Sequence, residues 1–388
     1  MEQRRAWTVA VFSFIFADAI AVQVRGPILA SLGEEFGAST ATLGLVAPAG
    51  TAGFLVAIVV TGVLAGRLPM RPSLLVGATC TVGALVAMSV APTYAVFLVA
   101  LLGQGTAAGA FRGLDRVVLS HLHAERRARM YTVYTLVWAV GAVLTPQLVS
   151  VVLAVADWRM LFLVVACAFL PATLLAARYD LPSIDAERSV SRAELASLLR
   201  RPAVLGSCLG MVLTGALEGV LFTWLVYYAE TFYPTATANA LLSVYLLAYI
   251  PARLGCATAI ERVPHLLLLL AALVPAIPAL AVAFSGVTGP ALFAAVFVAG
   301  AAISTGFPVL SAYAVESAPE YSGPLNAVTN GSTYLGLATA PAVVGVLAGR
   351  YGIGTAIQWT AVAIAVAFVL AVGTLWRWTD TPGVPRPT

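Results

Sequence analysis

The stretch GAVLTPQLVSVV at residues 141–152 returns, in register, as GLATAPAVVGVL at residues 336–347. Gly141 precedes Pro146, which is followed by Val149, Ser150, Val151 and Val152. Gly336, 195 positions after Gly141, precedes Pro341, which is followed by Val344, Gly345, Val346 and Leu347. A second place repeats the offset, with Gly66, Arg67, Leu68 and Pro69 matched by Glu261, Arg262, Val263 and Pro264. One gapless register shared by two distant places marks the chain as two copies of one half.

Outward from these stretches the chain is apolar nearly everywhere. Of 388 residues 61% are hydrophobic and 10% charged, and the mean hydropathy is +0.95. Twelve segments are each long enough to cross a ~30 Å hydrocarbon core as a helix. They run over 7–32, 41–65, 72–91, 94–117, 130–155 and 158–177, then 203–232, 237–258, 264–285, 290–314, 323–348 and 354–378. Repeated spanning helices let every backbone amide bond within its own helix, which lipid demands and a soluble fold does not need. The predicted fold class is an all-α membrane protein with two six-helix bundles, residues 1–177 and 203–378. Residues 178–202 join them and carry the densest charge in the chain, with Ser191 and Glu194 spaced as a capping box. The proline-rich residues 379–388 read as a disordered tail.

Arginine placement orients the spans. Arg4, Arg5, Arg67, Arg71, Arg126, Arg127, Arg129, Arg178, Arg188, Arg192, Arg200, Arg201, Arg253, Arg262, Arg377 and Arg386 fall beside loops on one side, and only Arg159 and Arg350 on the other. The positive-inside tendency makes the first side cytoplasmic, so both termini are expected inside a multi-pass cell-membrane protein. The first span is too long for a cleaved signal and reads as retained. All basic residues are arginine, which excludes a Walker A lysine on nucleotide phosphates and a retinal Schiff base. The net charge of +4 follows from membrane orientation and calls for no nucleic-acid partner. Cys80, Cys167, Cys208 and Cys256 lie in apolar spans without CxxC spacing and read as structural thiols. His121 and His123 form an HxH pair without acidic or cysteine ligands at supporting spacing, so no metal is expected. HExxH and serine-nucleophile motifs are absent, which argues against an enzyme.

Parallel repeats related by an axis along the membrane normal belong to one transporter architecture, and several motifs carry a resemblance to the major facilitator superfamily. The run Gly62 to Arg71 looks like that family's loop between spans two and three, with Gly66 in place of the usual aspartate, while the second copy keeps an acid at Glu261. The Trp158, Arg159, Phe162 cluster is also similar to the family's. Leu101 stands where the family's drug antiporters carry an arginine three residues before Gln104. Gly26 to Leu29, Gly215 to Glu218 with Trp224 and Tyr228, and Leu242 to Tyr245 with Arg253 resemble the fucose, galactose and glucose symporter group. The resemblance implies two bundles rocking about a central site, sugar uptake coupled to a proton or sodium ion through intramembrane carboxylates, and no cofactor. The alternatives are a drug/proton antiporter and a lipid flippase on the same fold.

Intramembrane charges cost at least ~2.5 kcal/mol each on insertion scales and mark functional positions. Asp18 lies eleven residues past Trp7, about 16 Å along a helix, and Glu218 sits at comparable depth in the seventh span. Both are candidates for proton coupling, against a reading as permanently paired structural carboxylates. Arg25, two turns beyond Asp18, would bind substrate or neutralise Glu218. Gln23, Gln104, Trp224, Tyr228, Tyr245, Tyr249, Asn326 and Asn330 complete the candidate substrate site, their amides and aromatic faces suiting sugar hydroxyls and ring CH groups. Arg67, Arg71, Arg112, Asp115, Arg116, Glu261 and Arg262 are candidates for an inner gate and charge relay, with Asp115 one turn from Arg112 and able to replace the acid missing at Gly66. The expected unit is a monomer in a lipid bilayer, with a small-molecule substrate and a proton as partner.

Overall fold

The computed structural model describes residues 2–64, 68–182, 197–318 and 321–378, apart from the side chains of 62–64, 127, 128, 322–324, 326 and 327. Among the described residues twelve helices are long and apolar enough to cross a membrane. They are α1 (Glu2–Gln23), α2 (Thr40–Thr61), α3 (Met70–Ser89), α4 (Tyr94–Leu122), α5 (Arg129–Val155) and α6 (Trp158–Arg178). The second half holds α7 (Pro202–Ala229), α8 (Thr235–Ala259), α9 (His265–Ala283), α10 (Pro290–Glu316), α11 (Val328–Tyr351) and α12 (Ile353–Trp378).

Most of the breaks within these helices lie just before a proline. An interior proline removes one backbone hydrogen bond, and its ring crowds the carbonyl four residues earlier. α1 stops at Gln23, four residues before Pro27, and helix resumes only at Leu29–Phe36. The predicted single span over 7–32 is therefore two pieces. An offset of four or five residues relates the break after Leu43 to Pro48, that after Leu247 to Pro251, that after Leu273 to Pro278 and that after Ser304 to Pro308. Pro146, Pro171 and Pro341 are absorbed inside continuous helices. α4 breaks without a proline, at Gly113 and Leu114.

The chain divides into two compact units. The first comprises α1, α3 to α6, and α2 from Leu45 onward. α1 packs on α5 and α6, and α4 on α2 and α3. A Cβ on Gly105 of α4 would collide with the Gly50 carbonyl oxygen of α2, so the two backbones touch there. Phe14 of α1 stacks on Phe111 of α4 with ring centroids 3.6 Å apart, and Phe169 of α6 closes on Phe14 edge-on. Trp158 sits edge-on to Phe97 and Phe162 at the other end.

The second unit comprises α7 to α12 together with Thr40–Gly44. It is built around α7 against α11, where a Cβ on Gly336 would collide with the Val212 carbonyl oxygen. Trp224 locks the same seam by donating its indole N–H to the Pro341 carbonyl at 2.9 Å. The α8–α10 contact reproduces the α2–α4 contact at the offset seen in the sequence: a Cβ on Gly300 would meet the Tyr245 carbonyl oxygen, and these residues stand 195 positions after Gly105 and Gly50.

Such contacts make a sharp prediction. Gly105→Ala forces α2 and α4 apart and should lower thermal stability by about 1–3 kcal/mol, measured by unfolding of the purified protein in lipid nanodiscs. Gly103→Ala, on the same helix with nothing within 4 Å of the added carbon, should be neutral or slightly stabilising because alanine is the better helix former.

Candidate functional site

Asp18 faces the interior of the first unit and is 1% exposed. Its Oδ2 accepts a hydrogen bond from Nη1 of Arg112, forming a buried ion pair between α1 and α4. The same guanidinium reaches Asp115, with Nε 3.5 Å from Oδ2, and Tyr134 of α5 donates its hydroxyl to that Oδ2 at 2.6 Å. Arg112 and Arg116 each lie over the Tyr134 ring, at 5.5 and 5.3 Å, and Arg112 also approaches Phe54 of α2 at 5.8 Å.

The break in α4 places these charges favourably. Arg112 is the last residue of the helical piece Tyr94–Arg112, where the backbone carbonyls favour a cation. Asp115 begins the piece Asp115–Leu122, where the free backbone N–H groups favour an anion. Two carboxylates thus share one guanidinium, with Arg116 as the second cation alongside. A proton arriving on Asp18 would weaken its hold on Arg112 and leave Asp115 to keep the arginine, so the network has a second arrangement available without orphaning a buried cation.

Arg25 lies in the turn that Gly26 and Pro27 impose after α1. Its Nη2 donates to Gln104 Oε1 of α4 at 2.9 Å, inside its own unit. A Cβ at Gly50 would collide with Arg25 Nη1, so the absence of a side chain there makes room for the guanidinium. Gln23 is wholly buried, and neither polar atom of its carboxamide has a hydrogen-bond partner among the described residues.

The second unit holds a different arrangement around Glu218 of α7. Tyr249 of α8 donates to Glu218 Oε1 at 2.9 Å, and the Tyr245 and Tyr249 hydroxyls lie 3.0 Å apart. With Glu218 ionised, Tyr249's single proton is committed to the carboxylate, so Tyr245 is the donor in the tyrosine pair. With Glu218 protonated, the carboxyl can donate to Tyr249 and the chain reverses. Either state of the carboxyl keeps its hydrogen bonds, which is what a group that loads and releases a proton requires. The Arg253 guanidinium lies 5.0 Å over the Tyr249 ring.

The remaining predicted residues fall in several places. Trp224 is engaged in the α7–α11 seam. Tyr228 accepts from the Gly286 backbone N–H at 3.3 Å and packs its ring on Phe232 and Phe284, at the end of α7. Asn330 is half-buried on α11, while the side chain of Asn326 lies outside the described residues, as does Arg67. Arg71 pairs with Asp180 at 2.6 Å and donates to the Ala177 carbonyl at 2.8 Å, tying the start of α3 to the end of α6. Glu261 and Arg262 are exposed between α8 and α9. Sequence reasoning misses Tyr134 and Asp180. Tyr134 is nineteen residues from Asp115 on another helix, and Asp180 reads in the sequence only as linker charge.

A family model described as Major Facilitator Superfamily matches residues 11–235 and 207–388. No curated protein matches the chain in sequence. The crystal structure of a bacterial homologue of the human lysosomal transporter Spinster, inward-facing and unoccupied, is similar with TM-score 0.81 at 15% identity, covering 98% of this chain and 99% of its own. A D-xylose-proton symporter gives TM-score 0.77 at 14% identity, covering 97% and 98%. A point variant of the E. coli fucose:proton symporter FucP gives 0.62 at 15% identity, covering 95% and 98%. At these identities the likeness is one of fold.

Arg112 is the keystone of the first unit's network, and its removal has a predicted cost. Arg112→Leu leaves two buried carboxylates without their shared cation and should destabilise the protein by about 3–5 kcal/mol. Adding Asp18→Asn and Asp115→Asn should restore part of that loss. Tyr134→Phe should cost about 1–3 kcal/mol by removing one donor from Asp115. Thermal unfolding of the single and combined variants checks all three.

Proposed function

Because the chain belongs to the Major Facilitator Superfamily, we propose that it is a proton-coupled secondary active transporter that carries a sugar or similarly polar small solute by alternating access. The observation that carries this reading is a pair of carboxyl groups within membrane-spanning helices, Asp18 and Glu218, each held by partners that can accommodate both its charged and its neutral form. A transporter needs its coupling ion and its solute to bind the two access states differently, since only a differential affinity shifts the equilibrium between them. Carboxyls that exchange an arginine or reverse a hydroxyl chain on protonation supply such a difference.

Gln23, Arg25 and Gln104 in the first unit, and Tyr245 and Tyr249 in the second, are the polar groups assigned to the solute. Carboxamides and hydroxyls both donate and accept, which matches the hydroxyls of a sugar. The arginine distribution supports a cell-membrane protein with both termini in the cytoplasm, Arg67, Arg71, Arg112, Asp115, Arg116, Glu261 and Arg262 forming its inner gate.

The test is purified protein in liposomes that trap a pH dye, challenged with a panel of pentoses and hexoses and, separately, with lipophilic cations. Proton entry accompanying a sugar is the expected result, and Asp18→Asn should abolish uphill sugar accumulation while sparing sugar exchange. Proton movement opposite to an added cation would replace symport by drug antiport. Silence to both sets would overturn the sugar and the coupling assignments together.

A further inference from the structure

Both ring nitrogens of His123, just past the end of α4, are taken by the first turns of α1. Arg4 Nη2 lies 3.1 Å from Nδ1, Thr8 Oγ1 lies 2.9 Å from Nε2, and Thr8 gives its own hydroxyl proton to the Arg4 carbonyl at 2.7 Å. These three contacts determine where the imidazole proton is. A guanidinium only donates, so Nδ1 must present a lone pair. The threonine proton is already committed, so Nε2 must carry the hydrogen and donate to Thr8. The neutral Nε2–H tautomer is the one form of the ring in which all three bonds are made.

We propose that His123 is a proton-sensing latch between α1 and α4, in which protonation of Nδ1 removes the acceptor for Arg4, sets two cations against each other and releases the first turns of α1 from α4. The charges around the ring reinforce the effect. Arg4 approaches from α1, and Arg126 from the turn Ala124–Arg126 that follows α4. The acids nearby are occupied or outward: Asp180, at the end of α6, is paired with Arg71, Glu2 takes the Tyr179 hydroxyl at 3.2 Å, and Glu125 is exposed. His121, two residues back, is hydrogen-bonded to the Val117 carbonyl. Burial first, then the positive charges of Arg4 and Arg126, hold His123 below the ordinary imidazole value. The latch therefore contributes in full above about pH 6.5, the usual histidine value, and is lost as pH falls through the lower folded value.

Position gives the latch its consequence. α1 and α4 are joined a second time at Asp18 and Arg112, ten residues beyond Thr8 and about 15 Å along the helix. Acidification on the face of the protein that carries Arg4 and His123 would open the end joint and leave the deeper one, while Trp7 keeps α1 on α6 through its bond to the Asp180 carbonyl at 3.1 Å. The sensor is separate from the coupling carboxyls and independent of any solute.

The chain has three histidines, so nitrogen-15 labelling of histidine alone gives a readable NMR spectrum in nanodiscs. At pH 8 His123 should appear as the Nε2–H tautomer, and Arg4→Ala should shift its titration midpoint upward, toward the ordinary imidazole value. Amide exchange of residues 6–10, corrected for intrinsic pH dependence, should lose protection as His123 titrates. In His123→Gln, whose carboxamide can accept from Arg4 and donate to Thr8 without titrating, the protection should stay constant. An Nδ1–H tautomer, a midpoint indifferent to Arg4, or protection that falls equally in His123→Gln would overturn the proposal.

Discussion

One guanidinium shared by two carboxylates in the membrane is the constraint on which the first unit rests. Lipid offers no water to a stray charge, and here Asp18, Arg112 and Asp115 neutralise one another in the interior of the unit. That network joins α1 to α4, draws in Tyr134 of α5 as a donor to Asp115, and sits at the break in α4 that no proline demands. The break at Gly113 and Leu114 turns one helix into two ends, and each end suits the charge that occupies it. If Asp18 takes the coupling proton proposed for it, Asp115 remains beside the arginine as its anion.

Duplication supplied the scaffold for both units, while the polar chemistry diverged. The glycine contacts persist at matched positions, Gly105 on Gly50 and Gly300 on Tyr245. The residues around them do not. Counting back 195 positions, Glu218 corresponds to Gln23, Tyr249 to Phe54 and Tyr245 to Gly50. The second unit thus carries a carboxyl and two hydroxyls where the first has an uncharged amide, a phenyl ring and a gap filled by Arg25. The first unit places its carboxyl elsewhere, at Asp18, whose counterpart is Leu213. Each copy carries an intramembrane carboxyl on its first helix, held by different residues at different depths.

Much of the fold is legible in the sequence because its determinants are local. Span length and hydropathy follow from the bilayer and the duplication from register, whereas the helix breaks are not legible, since Pro27 interrupts a helix and Pro146, Pro171 and Pro341 do not. The pairing of Arg112 with Asp115 is also legible, since one helical turn separates them. What joins distant helices is not. Arg25 meets Gln104 across 79 positions, and the alternative sequence expectation, that it neutralises Glu218, carries no hint of this amide partner. Tyr134, nineteen residues from Asp115, carries no sequence signal of the bond it makes when α5 lies against α4. Trp224 and Tyr228 look like binding-site aromatics in the sequence, yet their polar atoms bond to backbone at Pro341 and Gly286. Periodicity shows which face is buried, and only packing shows what it is buried against.

The transport cycle proposed above requires Asp18 and Glu218 to change protonation in the working protein. Infrared difference spectroscopy of the protein in lipid, stepped through the pH range of transport, tests it without any solute. The account predicts carboxylic-acid carbonyl bands that grow as pH falls, one missing in Asp18→Asn and another missing in Glu218→Gln. Bands unchanged by both substitutions, or carboxylates that stay ionised throughout, would contradict it.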